Sequence, residues 1–220
     1  MEVLVLDGFL RAAPLAQVNA LFERAPDRSG AATAGPWAAP VKRSRQAVGP
    51  EVDQWCTGLV DQLFGDEHVA RFAYPQRAIH PMLTAYGPGD EYGAHEDNPL
   101  QSGMRTDFSY TLFLSEPSAY GEGELVLKEG AEEETFKPPS GSLVVYRTGT
   151  EHLVRRVTTG ERRVAVGWLQ SCIRDRGNRE LLRSFSDALE GLELLVGVQT
   201  PAFRGLNRIR NELVRRWAET

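Results

Sequence analysis

Ser142-Leu143-Val144-Val145-Tyr146-Arg147, then Glu151-His152-Leu153-Val154-Arg155-Arg156-Val157, then Arg162-Arg163-Val164-Ala165-Val166-Gly167-Trp168 are three apolar runs separated only by Thr148-Gly149-Thr150 and Thr158-Thr159-Gly160-Glu161. Runs this short, rich in β-branched residues and punctuated by Thr and Gly, read as consecutive strands joined by tight turns, with no room for a helix between them. The same texture extends outward over residues 77–173, where 78–86, 106–115, 124–128 and 134–137 are further strand candidates. About seven or eight strands of this length favour a barrel or two-sheet sandwich over an alternating α/β fold. A jelly-roll barrel open at one end is the expectation.

The flanks read differently. Residues 14–25 fit a helix, with Pro14 in its first turn and Leu15, Val18, Leu21, Phe22 and Ala25 along one stripe. A second helix is expected over 50–64, burying Val52, Trp55, Cys56, Leu59, Val60 and Leu63 and ending at Gly65. Between them, 26–49 is a Gly- and Pro-rich loop long enough to belong to a site. Near the C-terminus, Asn178 is placed to cap a helix striped by Leu181, Phe185, Leu189 and Leu192. Thr200-Pro201 begins another, striped by Leu206, Ile209, Leu213 and Trp217. These stripes suit packing against the barrel or a homodimer contact. The expected organisation is one compact domain, with helical support over 1–75, a β core over 76–175 and a helical extension over 176–220.

Within this frame, His95-Glu96-Asp97 carries the chemistry. In an extended chain residues i and i+2 share a face, so His95 and Asp97 can converge on one ion while Glu96 points away. His152, in a separate strand, can supply a third donor. Two imidazoles and one carboxylate on one side of a metal leave neighbouring positions open, the arrangement of non-haem Fe(II) oxygenases. Arg162 opens the next strand. A guanidinium grips a carboxylate through two charge-assisted hydrogen bonds and keeps its charge, so Arg162 is the candidate holder of the far carboxylate of 2-oxoglutarate. Alternation puts Arg162, Val164, Val166 and Trp168 on one face and Arg163 on the other. Zinc accepts the same three ligands, so a zinc hydrolase remains an alternative, as does a non-catalytic cupin-like barrel that binds a metal or small molecule.

Composition narrows the classes. The chain has 220 residues, is 41% hydrophobic and carries a net charge of −5, which argues against a nucleic-acid partner. No apolar run approaches the roughly 20 residues that cross a bilayer, and Met1 to Asp7 has no basic stretch or cleavage site of a secretory signal. Cys56 and Cys172 lack metal-site spacing and read as buried free thiols of a cytoplasmic protein.

The stretch Tyr86-Gly87-Pro88-Gly89-Asp90-Glu91-Tyr92-Gly93-Ala94-His95-Glu96-Asp97-Asn98 resembles the iron-binding segment of prolyl-4-hydroxylase-type oxygenases. Met104-Arg105-Thr106-Asp107-Phe108-Ser109, Thr111-Leu112-Phe113-Leu114-Ser115-Glu116-Pro117, Gly123-Glu124-Leu125-Val126, Pro139 to Tyr146 and Trp168-Leu169-Gln170-Ser171 resemble the bacterial PKHD-type hydroxylases. The resemblance implies a mainly β chain with flanking helices (α+β), its core a double-stranded β-helix. It implies Fe(II) on His95, Asp97 and His152, 2-oxoglutarate on Arg162 with Tyr86 beside it, and ascorbate as a supporting reductant. It further implies hydroxylation of a C–H bond in an amino acid, peptide or protein side chain, siderophore or natural product, with 2-oxoglutarate decarboxylated to succinate. Phe113 and Leu125 are candidates to line the cosubstrate pocket, and Tyr92 and Asn98 to support the metal or touch substrate. Arg156 stands where relatives carry a proline, and Glu122 where they carry a glycine.

Overall fold

The computed structural model describes every residue except Trp37 and Thr220. In chain order the first strands are β1 (Val3–Leu6), β2 (Asp27–Ser29), β3 (Arg45–Ala47), β4 (Pro75–Ala78), β5 (Met82–Tyr86) and β6 (Tyr92–His95). There follow β7 (Leu100–Gln101), β8 (Met104–Arg105), β9 (Phe108–Phe113), β10 (Tyr120–Glu122) and β11 (Leu125–Glu129). The series ends with β12 (Glu132–Phe136), β13 (Leu143–Arg147), β14 (Glu151–Val154), β15 (Val157–Gly160) and β16 (Arg162–Ser171). The helices are α1 (Ala12–Arg24), α2 (Pro50–Gly65), α3 (Glu67–Ala73), α4 (Arg176–Val196) and α5 (Pro201–Trp217).

The major sheet runs β1-β13-β9-β16-β5-β3-β2, with β4 also paired to β16, and the minor sheet runs β12-β11-β14-β6. Every pairing is antiparallel. The period of two along β13 sorts its side chains between two cores. Leu143 and Val145 join Leu83, Ala85, Leu112 and Leu169 against Val18, Leu21, Phe22, Cys56 and Leu59 of α1 and α2. Val144 and Tyr146 turn the other way, toward Leu125, Leu127 and Val154 of the minor sheet. Helices therefore cover one face of the major sheet, and the minor sheet covers the other. This is the jelly-roll arrangement expected from the strand series. A smaller cluster of Tyr74, Ile173 and Leu182 seats α4 and α5, through Leu213, Val214 and Trp217, beside the end of β16.

Four local expectations are revised. The stretch 1–75 contributes β1 to one edge of the major sheet and β2 and β3 to the other, in addition to its helices. Thr158-Thr159-Gly160 is not a turn but most of β15, which pairs with β10. Gly160 sits there at φ +68°, and a Cβ would meet the carbonyl oxygen of Ala119 at 2.0 Å, so only glycine fits. Asn178 is not the cap of α4; the helix starts two residues earlier, and the Asp175 carboxylate accepts from the Asn178 amide at 2.8 Å. The 26–49 loop carries β2 and β3 and folds against the strand of His95, with Lys42 in an antiparallel bridge to Tyr92. The last helix begins at Thr200-Pro201 as expected, with the Thr200 hydroxyl accepting from Phe203 N.

Candidate metal and cosubstrate site

His95 closes β6 and His152 lies in β14, and the two are direct partners in the register of the minor sheet. Asp97 follows two residues after His95 and turns back toward both. Its Oδ1 lies 3.8 Å from His95 Nε2 and its Oδ2 3.7 Å from His152 Nε2. The three donor atoms are all within 4.8 Å of one another, a triangle that a divalent ion could occupy at ligand distances of ~2.0–2.2 Å.

The imidazoles are held in the orientation a metal needs. His95 Nδ1 donates to Gly93 O at 2.8 Å and His152 Nδ1 to Thr150 O at 2.9 Å. A carbonyl only accepts, so each Nδ1 carries a proton and each Nε2 is the ring nitrogen turned to the centre. Burial, and then the neighbouring His152, push the His95 pKa down to about 4, so its ring is neutral near pH 7. Among the described residues His95 Nε2 has no hydrogen-bond partner, and it is buried. An orphaned acceptor of this kind is costly unless something binds it. The set of two imidazoles and one carboxylate fits Fe(II).

Three further side chains hold the triad. Ser109 Oγ donates to Asp97 Oδ2 at 2.7 Å and shares a 3.1 Å hydrogen bond with Thr148. Tyr92 stacks on His95, with ring centroids 3.6 Å apart and planes 20° apart. Tyr146 meets His152 edge-on at 5.2 Å. Neither Ser109 nor Tyr146 was singled out from the sequence, because each reaches the site only through sheet pairing.

Arg162 is 1% exposed, and Tyr86 lies opposite it in the β5–β16 register. Its guanidinium carbon is 5.2 Å from the Tyr86 ring centroid and 5.3 Å from that of Phe113. Among the described residues its polar neighbours are the uncharged phenols of Tyr86, Tyr120 and Tyr146, it forms no ion pair with a carboxylate, and its Nε has no hydrogen-bond partner. Burial lowers the Arg162 pKa from its ordinary value, yet a guanidinium remains charged. Burial raises the Tyr86 pKa to about 12, so its hydroxyl keeps its proton. The next residue, Arg163, points to the helix side and pairs with Glu23 and Glu161, as alternation predicts.

Arg162, Tyr86 and the triad line a single cavity of about 250 Å³. Leu125, Val166, Trp168 and Asn98 share its wall, and Thr33, Ala34, Gly35, Ala38 and Lys42 bring the 26–49 loop to its mouth. Val164 lies in the adjoining core and not on the wall. Arg156 stays outside, paired with Glu91 at 2.9 Å. Glu122 adopts a positive φ of 53°, a conformation that glycine takes without strain.

A buried cation beside three convergent donors that could hold a metal fits the class of iron-dependent oxygenases that take an acidic cosubstrate. The model of the 2OG-Fe(II) oxygenase superfamily matches residues 81–170, the span that holds both histidines, Asp97 and Arg162. A PKHD-type hydroxylase of Parvibaculum lavamentivorans is 39% identical over 96% of this chain and 97% of that protein. One of Picosynechococcus sp. is 38% identical over 86% of this chain and 87% of that protein. The chain belongs to the PKHD-type hydroxylases. Solved structures share the fold at low identity: a Pseudomonas putida prolyl-4-hydroxylase (TM-score 0.56, 21% identity, 77% of this chain and 92% of that one) and the epimerase SnoN of nogalamycin biosynthesis (TM-score 0.59, 12% identity, 78% of each). The protein is thus an Fe(II)- and 2-oxoglutarate-dependent hydroxylase, an oxidoreductase using dioxygen, and the zinc-hydrolase and non-catalytic readings are set aside.

Proposed function

We propose that His95, Asp97 and His152 bind the Fe(II), and that Arg162 with Tyr86 binds the remote carboxylate of 2-oxoglutarate. The observation that carries this reading is a pair of unsatisfied groups in one cavity: the orphaned Nε2 of His95 and the buried guanidinium of Arg162 without a carboxylate. Each is unfavourable alone, and a metal with a dicarboxylate satisfies both. When bound, Fe(II) with 2-oxoglutarate and dioxygen supplies the oxidant that hydroxylates a substrate C–H bond, with release of succinate and CO2. Carbonyls of Gly93 and Thr150 hold the imidazoles, and Ser109 holds Asp97. Phe113 and Tyr86 flank the guanidinium and keep water from it. The protein contributes position and dryness, and no side-chain acid or base is required.

In this reading 76–175 forms the catalytic core, and 1–75 and 176–220 support it as parts of one domain. Cys56 and Cys172 are free thiols, which supports a reducing, cytoplasmic setting. Among the described residues no helix is long and apolar enough to cross a membrane. Anaerobic addition of Fe(II) and 2-oxoglutarate tests the assignment. A weak visible charge-transfer band in the wild type, absent in His152→Ala and recovered in Arg162→Ala only at far higher 2-oxoglutarate, supports it. A band indifferent to both substitutions refutes it.

A further inference from the structure

Lys42 is the other cation of the cavity wall. It is 7% exposed, burial lowers its pKa to about 8, and among the described residues its ammonium forms no ion pair, the carboxylate charge it feels being that of Asp97. Its nearest defined contact is the Tyr92 ring, whose centroid lies 4.9 Å from Nζ, and that ring in turn stacks on His95. A cation–π contact contributes about 0.5–2 kcal/mol. Burial costs the ammonium part of its hydration, and the aromatic ring replaces that only in part.

The backbone shows that this placement is built. Lys42 bridges Tyr92, and Arg43 N donates to Glu91 O at 2.9 Å, so the loop is pinned to the metal-bearing strand. Residue 93 is glycine where a Cβ would lie 2.9 Å from Val41 Cβ, so a glycine lets the segment next to Lys42 press against the strand of His95.

Charge says what is missing. With Fe(II) and 2-oxoglutarate held as proposed above, the charges of the metal and Arg162 are balanced by those of Asp97 and the dianionic cosubstrate. Lys42 is left as the cation of the cavity without a counter-charge. Glu96 lies at the exposed rim, where water screens it.

We propose that Lys42 anchors the primary substrate through an anionic group, a carboxylate, phosphate or sulfate, carried by the molecule whose C–H bond is oxidised. The inference rests on the metal and cosubstrate assignment of the preceding subsection. It favours small acid-bearing substrates, such as free amino acids, over neutral residues inside a peptide.

The chain has three lysines. Lys128 faces Glu133, and Lys137 donates to the Tyr120 carbonyl. Protein labelled with [ε-13C]lysine therefore gives three resonances, and Lys42→Met assigns the one of interest. The probes are acetate, inorganic phosphate and, as a neutral control, acetamide. They are added to protein holding Zn(II) as a diamagnetic ion with saturating 2-oxoglutarate, and again to metal-free protein. The expected result is a saturable shift of the Lys42 resonance with acetate or phosphate in both forms, with Lys128 and Lys137 stationary and acetamide silent. Which anion binds more tightly separates a carboxylate substrate from a phosphate or sulfate one. No saturable shift, an equal shift with acetamide, or a shift only when metal is present overturns the proposal. The anaerobic Fe(II) band of the wild type separates the two levels: a band with an unresponsive Lys42 rejects this inference alone, whereas no band rejects the assignment beneath it.

Discussion

The two faces of β16 are built on opposite terms. On the helix side Arg163 meets Glu23 and Glu161, lies over Phe22, and donates to Asn19, with Ala165 and Leu169 packed in the apolar core beyond it. On the cavity side Arg162 is more deeply buried yet has phenols for neighbours, and the cavity it lines contains the orphaned nitrogen of His95 and the unpaired Lys42. Adjacent residues of the same type thus do different work. One face closes its own polar accounts through the fold, and the other leaves them open for ligands.

The largest expected effect is on the open face. His152→Ala removes one of three donors and should abolish Fe(II)- and oxygen-dependent succinate formation, measured by coupled assay, while the thermal midpoint of the metal-free protein moves little. Leu112→Ala, on the closed face, should do the reverse. Leu112 is fully buried among the helix-facing residues, so its truncation should lower unfolding stability by about 2–5 kcal/mol in urea titrations, with 2-oxoglutarate affinity unchanged below the transition.

Arg162→Met sharpens the contrast. Losing one partner of a buried charge pair typically costs 2–5 kcal/mol of binding, so 2-oxoglutarate affinity should fall by about 100-fold or more. The metal-free protein should be no less stable than wild type, because an unpaired buried charge has gone. Ser109→Ala removes the hydrogen bond that orients Asp97, together with its link to Thr148, and should weaken Fe(II) binding by about 10-fold in a competition titration. The smallest effect lies outside both faces: Glu122→Gly should stabilise the fold by about 1 kcal/mol, because Glu122 adopts a φ of 53° that glycine accepts without strain. Unchanged or lower stability in that variant would mean that the Glu122 side chain compensates for its backbone.

Much of the site was legible because its key residues sit in regular, local patterns. The two-residue step from His95 to Asp97, the strand position of His152 and the alternation that separates Arg162 from Arg163 each follow from the geometry of an extended chain. The strand series likewise announced a two-sheet β fold. What stayed hidden depends on partners distant in sequence. Ser109 reaches Asp97 from β9, and Lys42 arrives from an irregular loop through a single bridge to Tyr92. The three- and four-residue strands β1 to β3 gain their hydrogen bonds from neighbours far along the chain, so no local periodicity marks them. Thr158-Thr159-Gly160 carries the composition of a turn and becomes a strand because β10 lies alongside.

The most direct test compares Arg162→Met with Arg163→Met by anaerobic titration of 2-oxoglutarate into the Fe(II)-loaded proteins, following the visible charge-transfer band. Arg163→Met should form the band at wild-type concentrations and lose only thermal stability, whereas Arg162→Met should need about 100-fold more 2-oxoglutarate. Equal affinity in the two variants would contradict the division of β16 into a structural face and a ligand-binding face.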